Sequence, residues 1–206
     1  MYRHLPNQLT VLRLVLAGVF FVTLNQYRPA PGGAEDGANL VLWLAVSVFV
    51  FAAVTDVLDG YLARRWQVES TFGRIMDPFC DKVLIIGAFG YLAGPRFVTA
   101  GQFTTASGVY PWMVAVILAR ELLVTGVRGE LEGQGIHFGA NVFGKLKMVL
   151  QSVAVPVILG IVALQPAGRS GLTLLRDGLI YVTILVTLLS GLPYIAHAAR
   201  AMGHRR

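Results

Sequence analysis

Six apolar stretches, each long enough to cross a bilayer as a helix, take up most of this chain, at about 8–26, 39–62, 75–94, 109–128, 142–165 and 173–198. A hydrocarbon core of about 30 Å needs roughly 20 apolar residues in helical conformation. Only helices and closed barrels satisfy every backbone polar group at that depth. These spans therefore predict an all-α integral membrane protein, a bundle of six transmembrane helices forming a single domain over 1–206. Composition agrees: 55% of residues are apolar and 14% charged, with a mean hydropathy of +0.65, too apolar for an ordinary soluble domain. Arg13 interrupts the first run and no small-residue cleavage site follows, so that run reads as a retained helix rather than a signal peptide. The segments 28–38 and 95–108 are rich in Gly, Pro, Ser and Thr and read as irregular loops.

Basic residues orient the bundle. With a cytoplasmic N-terminus, 13 of the 17 Lys and Arg residues fall on the cytoplasmic side; Arg28, Arg96, Arg169 and Arg176 fall on the other. Setting aside Arg64, Arg120, Arg128, Lys145 and Lys147 as candidate functional groups leaves 8 against 4. The positive-inside rule then puts both termini in the cytoplasm. The net charge of +6 and pI near 9.8 do not make this a nucleic-acid binder: the basic residues sit at helix ends and no nucleic-acid module is present. Anionic lipid headgroups are the simpler partner for such charge.

Four aspartates mark the junction of the second and third spans. The chain reads Asp56-Val-Leu-Asp59-Gly60-Tyr-Leu-Ala63-Arg64, then eight residues, then Gly73-Arg-Ile-Met-Asp77-Pro-Phe-Cys-Asp81. An aspartate at a membrane-helix centre costs roughly 2.5–3.5 kcal/mol on insertion scales, so four together call for compensating cations. Oxygen-rich sites suit hard divalent ions. Asp56, Asp59, Gly60, Ala63 and Arg64 fall on one helical face, and Gly73, Asp77 and Asp81 form a second stripe. Two antiparallel helices facing each other would bring all four carboxylates together. Gly60, Ala63 and Gly73 leave the backbone open to a ligand, and Arg64 offers a planar fork suited to phosphate.

The pattern D-x2-D-G-x2-A-R-x8-G-x3-D-x3-D resembles the signature of the CDP-alcohol phosphotransferases, with all eight fixed positions present. A second constellation, Ala119-Arg120-Glu121-Leu-Leu-Val-Thr125-Gly-Val-Arg128 followed by Gly144-Lys145-Leu-Lys147-Met-Val-Leu-Gln151, is similar to the branch of that family whose acceptor is sn-glycerol 3-phosphate. So is the opening Pro6-Asn7-Gln-Leu9-Thr10-Val-Leu-Arg13, whereas Met148 stands where that branch often has Thr. Snorkelling helix ends would account for one such cation, but Arg120 lies about two turns inside its span. Arg120 and Arg128 share a face about 12 Å apart along the axis. Cations beside a metal site form a pocket for a second phosphate.

The resemblance implies a reaction and a set of roles. CDP-diacylglycerol would place its diphosphate at the aspartates and its acyl chains in the bilayer. The acceptor's 1-hydroxyl would attack the β-phosphorus, giving phosphatidylglycerol phosphate and CMP. Two divalent cations, Mg²⁺ or Mn²⁺, would be held by Asp56, Asp59 and Asp77, with Asp81 as general base and further metal contact. Asp56, Gly60, Ala63, Arg64 and Gly73 would line the CDP moiety, and Arg120, Arg128, Lys145 and Lys147 would hold the acceptor phosphate. The resemblance also implies a homodimer in a bacterial inner membrane with its site facing the cytoplasm. Other acceptors of the same family (inositol phosphate, phosphatidylglycerol or serine) remain open, as does, more distantly, a divalent-cation carrier.

The remaining candidates carry less. Cys80 is the sole cysteine, so no internal disulfide forms, and its place between Asp77 and Asp81 points it toward packing. His4, His137, His197 and His204 have no metal-ligand spacing. Trp43, Trp66 and Trp112 fit interfacial anchoring.

Overall fold

A computed structural model describes residues 5–28, 36–66, 71–98, 104–133, 142–164 and 170–203. Within these, the side chains of 5–7, 9, 36, 59, 61–66, 71–75, 170 and 197–203 are outside the described set. Six helices account for nearly all of it: α1 (Leu5–Gln26), α2 (Asp36–Trp66), α3 (Thr71–Leu92), α4 (Pro111–Gly133), α5 (Val142–Leu164) and α6 (Ser170–Gly203). At 1.5 Å per residue, even the 22-residue helices α1 and α3 reach about 33 Å.

Among the described residues, three segments are long and apolar enough to cross a membrane: Gly37–Leu58, Val142–Leu164 and Gly171–Ala196. The protein is thus an all-helical, multi-pass membrane protein. Helices α3 and α4 carry charged side chains along their length, among them Asp77, Asp81, Lys82, Arg120, Glu121 and Arg128. Large apolar side chains point outward along α2, α5 and α6, among them Leu40, Val57, Val149, Leu174 and Leu185. Outward apolar faces are what lipid-facing helices present.

The helices pack as a closed ring in the order α1, α2, α5, α6, α4, α3, with α3 also leaning on α5 across the middle. Phe20, Phe49, Phe89, Leu42 and Ile158 are fully buried at its centre, and the Phe20 and Phe49 rings lie 5.4 Å apart. One close approach is sequence-coded: a Cβ on Gly87 would collide with the Phe21 ring, so glycine lets α3 press onto α1. Hydroxyls of Ser47, Thr23, Thr183 and Thr187 donate to carbonyls one turn back, which satisfies them inside the helix. Pro78, Pro156 and Pro193 sit within α3, α5 and α6, as membrane helices tolerate when neighbours re-satisfy the freed carbonyls.

Two expectations change. Residues 36–38, expected in a loop, already belong to α2. The 95–108 segment is not wholly irregular: it holds a 3-10 turn at Pro95–Phe97 and a bridge between Val98 and Thr105. Its turn ends at Gly108, whose φ of 73° is the left-handed conformation that glycine adopts without strain. Ser107 donates to the Leu92 carbonyl and Arg176 to that of Ala106, so this cap ties α3 to α6 at the end of α3 away from Asp77.

Candidate active site

Among the described residues, α2 and α3 each pack chiefly on α1 and face one another across a shared cavity. The reason is Arg13. Its side chain is only 2% exposed, and its Nη1 lies 2.7 Å from Asp56 Oδ1 and 3.7 Å from Asp77 Oδ1. One helical turn earlier on the same face, Thr10 donates to Asp77 Oδ1 at 2.9 Å. A single positive group on α1 thus gathers carboxylates from α2 and α3. Its burial is tolerable because the charge is paired.

Asp81, one turn beyond Asp77, joins Asp56 and Arg13 in lining a cavity of about 260 Å³. Met148 and Ser152 of α5 form another wall. Through Phe49, Ala53, Val57 and Val153 the cavity shares walls with an apolar groove of about 450 Å³ between α2 and α5, which also takes in Val54 and Pro156. A carboxylate-lined end therefore runs into a lipid-facing apolar groove. Cys80 is buried, in keeping with packing.

Of the aspartates, Asp56 and Asp77 meet at Arg13 and Asp81 lines the cavity with Asp56, while the surroundings of Asp59, Ala63, Arg64 and Gly73 lie outside the described set. Gly60 is exposed on α2. Among the described residues, no group of three or more His, Cys, Asp or Glu forms a metal-binding cluster. The donor chemistry nonetheless fits a hard cation: Asp56 and Asp77 offer carboxylate oxygens close enough to share one positive partner, and magnesium and manganese favour all-oxygen sets.

The expected phosphate pocket divides in two. Lys147 of α5 donates to Glu121 Oε1, and Arg120 reaches the same oxygen at 3.0 Å. All three side chains are at most 10% exposed. Arg120 also donates to the Ser190 carbonyl of α6 at 3.4 Å. Beyond Lys147 on the same face, Gln151 donates to Thr187 at 3.1 Å. Asp81 lies near enough to this cluster for Lys147 and Glu121 to act on it electrostatically, as Asp56 and Arg13 do. Arg128, by contrast, is exposed and pairs with Glu132 one turn on at 2.7 Å, and Lys145 is exposed. Neither joins the buried cluster, because on α4 and α5 they lie nearer the helix ends, where long basic side chains reach water.

Three groups at this site were not singled out from the sequence as functional: Thr10, Arg13 and Glu121. The signal was present. An arginine in an apolar helix is expensive unless it serves a buried partner, and Thr10 and Arg13 share one face at i and i+3. Glu121 adjoins Arg120, and a lone acid among cations is a natural clamp.

Comparison with known proteins bears on the same residues. A CDP-diacylglycerol–glycerol-3-phosphate 3-phosphatidyltransferase of Cereibacter sphaeroides is 35% identical over 176 residues, 82% of this chain and 70% of that protein. One of that name from Bacillus subtilis is 36% identical over 160 residues, 76% of each chain. A probable phosphatidylglycerophosphate synthase of Mycobacterium tuberculosis is 35% identical over 201 residues, 97% of this chain and 84% of that protein. Residues 3–195 match the CDP-alcohol phosphatidyltransferase family, a stretch holding every aspartate and cation described above, and the chain belongs to that family.

Proposed function

We infer that this protein transfers the phosphatidyl group of CDP-diacylglycerol to sn-glycerol 3-phosphate, releasing CMP and forming phosphatidylglycerol phosphate. The observation that carries this is a carboxylate-lined cavity that shares wall residues with an apolar groove between α2 and α5. It suits a substrate with a charged reacting end and two acyl tails. The relatives' activities point the same way.

The residues divide the work by their chemistry. Asp56, Asp59 and Asp77 would hold the divalent cations, with Asp81 touching one. Bound magnesium or manganese supplies charge neutralisation to the diphosphate. Gly60, Ala63 and Gly73 leave room for the CDP moiety, and Arg64 pairs with its phosphate oxygens. Arg120 and Lys147 bind the acceptor phosphate, while exposed Arg128 and Lys145 draw it in from water. With that phosphate held, the acceptor hydroxyl faces Asp81, which takes its proton as the oxygen attacks phosphorus. The bond to the CMP oxygen breaks as the new ester bond forms.

A direct assay separates this reading from its rivals. CMP release from CDP-diacylglycerol should depend on glycerol 3-phosphate and stop when EDTA removes divalent ions. Inositol phosphate, phosphatidylglycerol and serine should not replace it. Release driven equally by serine would refute the acceptor assignment.

All six helices cross the membrane in this reading, with both termini and the 63–74 connection in the cytoplasm. The basic asymmetry supports it, as does the shared neighbourhood of the first turns of α1 and the later turns of α2 and α6 with the charged site. In intact cells on a cysteine-free background, a cysteine at position 35 should label from outside and one at position 69 should not. The opposite pattern would invert the topology.

A further inference from the structure

Glu121 has no part in the chemistry above, yet it stands at the centre of the buried cationic cluster. Its Oε1 is shared by two cations from different helices, Arg120 of α4 and Lys147 of α5. The guanidinium has little else to fix it: Nη2 makes a 3.4 Å contact with the Ser190 carbonyl, and Nε has no hydrogen-bond partner among the described residues. Lys147 is more exposed to misdirection. Its contact is with Glu121, and a second acid, Asp81, lines the adjoining cavity with Met148, the residue after Lys147. A lysine carries a flexible stem and a compact charge, so without its contact partner it would turn toward the other acid.

We propose that Glu121 is the positioning residue of the acceptor subsite: it aims Arg120 and Lys147 at the acceptor's phosphate and keeps Lys147 off Asp81. The proposal rests on the acceptor reading above. Glu121 touches neither substrate; it acts through the two cations. Charge-assisted hydrogen bonds of this kind are directional as well as strong, so a carboxylate forked between two donors fixes both at once. A purely mechanical staple joining α4, α5 and α6 would need no charge, since well-packed apolar groups replace buried ion clusters without loss of stability in many proteins.

The test uses the full chain in detergent micelles containing CDP-diacylglycerol. Glu121→Gln should raise the KM for glycerol 3-phosphate at least about tenfold, the scale of one charge-assisted hydrogen bond, and leave the KM for CDP-diacylglycerol within about twofold. Glu121→Asp, which keeps the charge, should recover part of the loss. Since Glu121 works through Lys147, the combined Glu121→Gln and Lys147→Met variant should fall well short of the product of the single effects. Equal rises in both KM values with a lowered melting temperature would reduce Glu121 to a structural staple. A lowered KM for glycerol 3-phosphate would make it a competitor of the phosphate. Either result, or full multiplicativity in the combined variant, overturns the proposal. Wild-type enzyme inert toward glycerol 3-phosphate but active on another phosphorylated acceptor would instead overturn the acceptor reading. The same variants measured on that acceptor would then decide the role of Glu121.

Discussion

Asp81→Asn lowers turnover by about 10²–10⁴-fold, the usual contribution of a general base, and leaves a folded protein that still binds CDP-diacylglycerol. Asparagine keeps the shape and one acceptor oxygen, but its amide cannot take up the hydroxyl proton. The position suits the proposed role: Asp81 lines one cavity with Asp56 and with Met148 of α5, the residue after Lys147. Asp56→Asn behaves differently. It removes charge from a cation ligand, so activity falls through weaker ion binding and is partly restored by raised Mg²⁺. Single-turnover release of CMP at saturating glycerol 3-phosphate and Mg²⁺ distinguishes the two. Near-normal turnover by Asp81→Asn under those conditions would remove Asp81 from the role of base and leave another carboxylate to take the proton.

Much of this architecture could be read from hydropathy, because a bilayer allows so few solutions. The apolar runs located all six helices, with ends displaced by a few residues. Polar ends caused most of the displacement: α2 continues to Trp66 through the Asp56–Arg64 stretch, since a helix leaving the membrane keeps its hydrogen bonds after its hydropathy falls. Helical periodicity put Asp56 on one face of α2 and Asp77 and Asp81 on one face of α3, and the structure sets Asp56 and Asp77 beside Arg13 and Asp81 in the cavity with Asp56. It does not reveal that α1 joins them, because neighbourhood in a bundle depends on packing that periodicity does not encode. Arg13 supplies that connection. Periodicity also put Arg120 and Arg128 on one face, but a shared face does not imply shared depth. Arg120 is drawn inward by Glu121, whereas two turns later Arg128 reaches water and pairs with Glu132.

Arg13 provides the second large effect, and its readout does not depend on turnover. Arg13→Met keeps an unbranched apolar stem and removes the charge shared by Asp56 and Asp77. Without divalent ions, those two carboxylates then repel each other without the shared counter-charge that Arg13 supplies. The lost charge-assisted interaction should destabilise the fold by about 1.5–3 kcal/mol, or several degrees in melting temperature at about 2–4 °C per kcal/mol for a chain of this size. Asp56 and Asp77 are 41% and 44% exposed, so water screens part of the repulsion and holds the loss below that of a fully buried pair. A divalent cation that binds the same oxygens competes with Arg13 in the wild type and meets no such competitor in the variant. By linkage, an ion at one hundred times its dissociation constant stabilises by about 2.7 kcal/mol. The rise in melting temperature on adding Mg²⁺ should therefore be larger for Arg13→Met than for wild type, closing most of the gap seen in EDTA. Equal Mg²⁺ shifts in the two proteins would mean that the ion does not bind where Arg13 gathers Asp56 and Asp77, and the metal assignment of those two aspartates would fall with it.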